Sequence, residues 1–200
     1  MKLLALSILT ALSLSPVLAQ ADAVPGKPAP AFEGKDASGK VQKLGDYAGK
    51  WVVLEWFNKD CPYVRKHYGA KNMQALQAEY TKKNVVWLTV NSSADGKQGH
   101  TSPAETLKVA KEEGSAATAV ILDGDGKIGK LYGAKTTPHM FVIDPKGMVV
   151  YAGGIDDNDS SDAAVIPKSK NYVRAALDAG MAGKKIETAT ARPYGCSVKY

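Results

Sequence analysis

Cysteine is the scarcest chemistry in this 200-residue chain: there are two, Cys61 and Cys196, 135 positions apart. Three other absences narrow the field. No internal repeat is visible, so one domain is enough. The 26 Lys and Arg are scattered among 20 Asp and Glu, with no basic stripe and no interleaved aromatics. A net charge of +6 spread in this way describes a solvated surface and argues against nucleic acid as a partner. Past the first residues, no apolar run approaches the ~20 residues that a spanning helix needs.

The one long apolar run lies at the start. Met1-Lys2 leads into Leu3–Leu14, broken only by Ser and Thr, then Ser15-Pro16 and small-residue cleavage patterns at Val17–Ala19 and Ala19–Ala21. That is the pattern of a secretory signal peptide over residues 1–21. It predicts an exported protein, secreted or periplasmic, that does not span the membrane after cleavage. Residues 22–200 then form one domain with a substantial core. Export also changes the meaning of the thiols, because a disulfide persists in an oxidising compartment. A permanent Cys61–Cys196 bond would contribute up to ~5 kcal/mol by chain entropy, so a structural staple stays open.

Cys61 stands where a strand hands over to a helix. Trp51–Phe57 reads as a buried strand, Pro62 suits a first helical position, and Met73, Leu76 and Tyr80 share one face of a helix over 62–81. A thiol there meets unpaired N–H groups and the positive end of the helix dipole. Both favour thiolate, the nucleophilic form.

Around that junction the chain alternates. A hairpin over Phe32–Leu44 turns at Ser38-Gly39, and strands are predicted at 51–58, 84–91 and 118–122. Ser102-Pro103 with Glu105 starts a helix that ends at Gly114, and Ile128–Tyr132 forms a short one. His139–Asp144 and Met148–Ala152 pair across Pro145–Gly147. An acidic insertion, Ile155–Lys168, precedes a helix over 169–181 and a tail ending PYGCSVKY. This order predicts an α/β fold, a mixed sheet with helices on both faces.

The segment EWFNKDCPYV resembles the active-site strand and turn of the thioredoxin superfamily, with Cys61 at the first cysteine of its C-x-x-C motif. Thr137-Pro138 in KTTPHMFVID resembles that superfamily's cis-proline loop. The resemblance covers nearly all of residues 25–182. It is greatest to the redoxin branch, which includes alkyl hydroperoxide reductases and thiol-specific antioxidant proteins. It implies a thioredoxin-like fold, chemistry on sulfur without a cofactor, a thiol or disulfide protein or a peroxide as substrate, and a thiol electron donor.

Departures from the pattern shape the expected chemistry. Val64 stands where a thioredoxin has its second cysteine, so no local disulfide forms. Asn58, Leu54 and Pro138 replace the Thr, Pro and Arg with which peroxiredoxins bind and polarise peroxide. The closely spaced cysteines and histidine of thioredoxin-fold copper chaperones are also missing, so no metal is expected at Cys61, His67, His139 and Cys196.

The resemblance implies Cys61 as the nucleophile and Glu55 as a buried carboxyl of raised pKa that moves protons. Thr137 and Pro138 would bind an extended substrate beside the sulfur. Arg65, four residues past Cys61, would support the thiolate or bind an anionic substrate, while Lys66 reads as solvated surface. Cys196 is the one other sulfur that can resolve an adduct at Cys61, from a tail able to fold back or swing away. Three readings follow: a thiol–disulfide oxidoreductase, a thiol peroxidase in which Cys196 traps a sulfenic acid, and a non-enzymatic module stapled by the two cysteines. Gly124–Gly129 matches G-x-G-x-x-G but reads as a turn. The aspartates of the insertion read as solvated, and Asn91 and Asn158 head glycosylation sequons.

Overall fold

The computed structural model describes residues 22–200, and the predicted leader lies outside the described residues. A five-stranded mixed sheet forms the centre, in the order β5-β4-β3-β7-β8. Its strands are β3 (Val52–Trp56), β4 (Val86–Asn91), β5 (Ala119–Leu122), β7 (Met140–Ile143) and β8 (Val149–Gly153). β3, β4 and β5 run parallel, whereas β7 is antiparallel to both β3 and β8. A hairpin of β1 (Glu33–Lys35) and β2 (Val41–Lys43) lies outside it, turning where Gly39 takes φ +86°.

Alternation along β3 divides the core in two. Val52, Leu54 and Trp56 point to one face, where Ile128 and Tyr132 of α4 (Lys127–Tyr132) and Phe32 join them. Val53 points to the other face, with Tyr68, Met73, Leu76 and Tyr80, and with Val173 and Leu177 of α5 (Tyr172–Met181). Glu55 has the parity of Val53, so the register itself drives a carboxyl into this second layer. Among the described residues, no helix is long and apolar enough to cross a membrane.

Local signals placed most boundaries. Ser102 accepts a hydrogen bond from the Glu105 amide at the start of α3 (Pro103–Glu113), and Gly114 ends it in the left-handed region. The helix expected over 62–81 is instead two, α1 (Pro62–Gly69) and α2 (Asn72–Lys82). The chain breaks because Lys71 adopts φ +58°. Gln74 then spans the break, donating to the carbonyls of Tyr68 and Glu113 at 2.9 and 2.7 Å.

The tail folds back along its length. The Ala152 amide of β8 donates to Ala189 O and the Ala191 amide of the tail donates to Ala152 O, and β9 (Cys196–Ser197) pairs antiparallel with β6 (Thr136–Thr137). The Ala94 amide donates to Lys199 O, and the Tyr200 hydroxyl donates to Ala134 O at 2.8 Å.

Candidate active site

Cys61 is the residue before the first turn of α1, and Pro62 removes a competing N–H from that turn. Its sulfur has no exposed surface. The thiol donates to Thr137 O at 2.9 Å, across a Thr137–Pro138 bond that is cis, as the resemblance implied. Burial pushes this thiol up. Hydrogen bonds from the Cys196 thiol, the Thr137 side chain and the backbone amides of Val64 and Cys196 outweigh burial and hold it below its usual value. The Thr137 hydroxyl, also buried, has no nitrogen or oxygen partner among the described residues.

Cys196 stands opposite Thr137 in the β6–β9 pair, and both cysteines are free. Burial, the hydrogen bond to Cys61 and that neighbour's charge push the Cys196 thiol up to about 11. The two sulfurs are therefore unequal. Gly195 makes the approach feasible: it takes φ +137°, and a Cβ there would overlap the Thr137 carbonyl oxygen.

Asn58 faces the loops instead of the sulfur. Its side-chain oxygen accepts from the Asp60 amide at 2.9 Å, and its amide donates to Gln98 O at 3.2 Å. Arg65 is exposed on α1 and makes no side-chain bond to the cysteines. Asn91 is buried and spends its amide on Gly99 O and Thr101 Oγ1, so its sequon is unsuited to modification of the folded chain. Asp123 holds the Gly-rich turn by accepting from the amides of Ile128 and Gly129.

Glu55 is fully buried and wrapped by neutral donors. Tyr68 Oη donates to Oε1 at 2.8 Å, and Gln77 Nε2 and Trp87 Nε1 donate to Oε2 at 3.0 and 2.7 Å. Burial raises its pKa, and these bonds, with Thr89, only partly offset that. No hydrogen bond joins Glu55 to either sulfur among the described residues. Tyr68, which donates to Glu55, packs in the same layer as Cys61.

A second buried polar cluster was not foreseen. Lys66, expected on the surface, is 3% exposed, and Asp156, expected in a solvated loop, is also buried at 3%. The cause is the insertion, which lays Asp156 over α1 with its carboxylate 3.7 Å from the Lys66 ammonium. Tyr194 Oη donates to Asp156 Oδ1 at 2.5 Å and lies 3.2 Å from His67 Nε2. Asn72 Nδ2 sits 2.9 Å from the other ring nitrogen. With the tyrosine proton given to the carboxylate, His67 donates from Nε2 and accepts from Asn72 at Nδ1. Burial, then the Lys66 charge, lower the His67 pKa to about 3, so the ring is neutral at physiological pH. Nothing local marks these partners, because Lys66, Asp156 and Tyr194 come from three distant segments.

The reactive group that this fold presents is a thiol with a second free thiol hydrogen-bonded to it, which places the protein among the thiol oxidoreductases of thioredoxin-like fold. Residues 25–152 match the AhpC/TSA family, and the chain belongs to that family. It is 30% identical over 125 residues to the thiol-disulfide oxidoreductase ResA of Bacillus thuringiensis, covering 62% of this chain and 66% of that protein. It is 26% identical over 133 residues to the peroxiredoxin tpx1 of Schizosaccharomyces pombe, covering 62% and 68%. The chain thus spans about two thirds of the length of these curated relatives. An uncharacterized conserved protein from Geobacillus kaustophilus matches in structure with a TM-score of 0.75 and 27% identity, over 89% of this chain and 93% of that one.

Proposed function

We propose that the protein is an exported thiol–disulfide oxidoreductase in which Cys61 attacks and Cys196 resolves. The inequality of the two bonded thiols carries this reading: one is held below its usual pKa and the other is pushed up to about 11. With the tail displaced to admit a partner, the Cys61 thiolate attacks a disulfide R–S–S–R′. A Cys61–S–S–R bond forms and R′ leaves as thiolate. Cys196 then attacks the Cys61 sulfur, the Cys61–Cys196 bond forms, and R leaves with the proton that Cys196 gives up. An external thiol pair reduces the internal disulfide and closes the cycle. Glu55 holds the proton in transit, and Thr137 and Pro138 seat the substrate backbone.

The test is a pair of serine variants assayed with a disulfide peptide. Cys61→Ser should abolish exchange, and Cys196→Ser should accumulate the mixed disulfide. A Cys61–Cys196 potential below about −300 mV with a normal Cys61 pKa would instead mark a permanent staple.

The peroxidase reading draws support from the peroxiredoxin relative, but Asn58 is spent on loop contacts and Pro138 has no group to polarise a peroxide. Peroxide consumption that is slow beside disulfide exchange is the expected result. Rapid consumption abolished by Cys61→Ser would reverse the order of the two.

A further inference from the structure

The buried cluster around Asp156 lies outside the exchange just described, yet it fastens the resolving tail to the helix that carries the nucleophile. Lys66 and His67 sit in the second turn of α1, directly after the Cys61 junction. Tyr194 reaches that turn from the tail, two residues before Cys196. Its hydroxyl is bonded to Asp156 at 2.5 Å and to His67 at 3.2 Å. Its ring packs edge-on to Tyr63 at 5.8 Å, and the Lys66 ammonium lies 5.3 Å from the ring centroid. The insertion adds two ties: Lys66 Nζ donates to Asn158 O at 2.8 Å, and Arg192 pairs with Asp159 at 2.5 Å.

One rigid element thus sets both sulfurs. Cys61 is placed by the start of α1, and Cys196 is placed by a two-residue lead from a side chain locked onto the same helix. Gly195, the single residue between, supplies the backbone conformation that brings Cys196 opposite Thr137. Restricting a reacting group in this way raises its effective concentration at the target sulfur.

We infer that Tyr194 is the positioning residue for Cys196: its bond to Asp156 holds the tail so that the second sulfur meets a mixed disulfide at Cys61. This rests on the reading of Cys196 as the resolving thiol. In the step concerned, the Cys196 sulfur bonds to the Cys61 sulfur, the Cys61–S–R bond breaks, and R–S leaves with the Cys196 proton.

The aromatic disulfide 5,5′-dithiobis(2-nitrobenzoate) separates the two steps, because each releases one coloured thiolate. Wild-type protein should release two per chain, in a fast and a slower phase, and Cys196→Ser only one. Tyr194→Phe keeps the ring, its contact with Tyr63 and the Lys66 cation over it, and removes only the hydroxyl. It should not slow the first phase, since a looser tail uncovers Cys61 at least as readily, and it should slow the second roughly tenfold. The same tenfold loss of effective concentration should raise the Cys61–Cys196 reduction potential by about 30 mV. Asp156→Asn, which keeps an acceptor of the same shape, should fall between wild type and Tyr194→Phe. A second phase and a potential unchanged in both variants would overturn the assignment. So would parallel slowing of both phases, which marks a general structural role. Two equivalents from Cys196→Ser would sink the resolving role itself, a separate failure from that of Tyr194.

Discussion

Two buried carboxyls flank α1, and they are furnished in opposite ways. Glu55 is surrounded by neutral donors, from Tyr68, Gln77 and Trp87, with no cation in the set. Asp156 shares one tyrosine donor of the same kind but adds the Lys66 ammonium at 3.7 Å. The helix serves both, sending Lys66 and His67 one way and Tyr68 the other. Burial without a cation raises the Glu55 pKa and leaves a group that can take up and release a proton. Burial with a cation gives an anchor. The first suits chemistry and the second suits holding a tail in place.

The comparison breaks most sharply at Asp156. Asp156→Ala removes the carboxylate facing the buried Lys66 ammonium, and should cost about 3–5 kcal/mol in denaturant unfolding. Gly195→Ala comes next. It puts a side chain at φ +137° against the Thr137 carbonyl, and should cost about 1–3 kcal/mol. Closure of the Cys61–Cys196 bond should slow with it.

pH sharpens the contrast, because the two clusters respond in opposite directions. The His67 pKa falls from 6.5 to about 3 on folding, so its contribution is complete above 6.5 and is lost as pH falls toward 3. The Glu55 pKa rises above 4.5 on folding, so its contribution is complete below 4.5 and is lost as pH climbs through the raised value. Unfolding free energies measured across pH should lose the acid limb in His67→Gln and the second limb in Glu55→Gln. An unaltered profile in Glu55→Gln would remove the carboxyl from the proton-handling role. The smallest effect is expected at Arg65, which is exposed. Arg65→Ala should change stability by less than about 0.5 kcal/mol. It should slow attack on an anionic disulfide by less than about fivefold, since an exposed charge pair is worth at most ~1 kcal/mol.

What could be read from the chain follows the same divide between near and far. The cap at Ser102, the stop at Gly114, the hairpin turn at Gly39 and the turn ending at Gly147 depend on neighbours in sequence, and each lies where expected. Cys61 was legible for the same reason, as its strand, its proline and its helix are contiguous. Cys196 was legible as a candidate by scarcity, not by any signal in the tail. Lys71 was missed because a lysine in left-handed backbone carries no local mark. Lys66, Asp156 and Tyr194 were missed because each is an ordinary surface residue until the insertion and the tail close over α1. Glu55 was legible as buried, since its neighbours on β3 are apolar, but its donors come from α1, α2 and β4.

One consequence of the docked tail concerns time. The Cys61 sulfur has no accessible surface while β9 lies on β6. Under the proposed exchange, a macromolecule would meet it only when that two-residue pairing is undone. Encounter with a partner would then be counted in strap openings, not collisions, with the opening frequency as the ceiling on turnover at saturating partner. On that reading, the segment that completes the reaction would also meter its start.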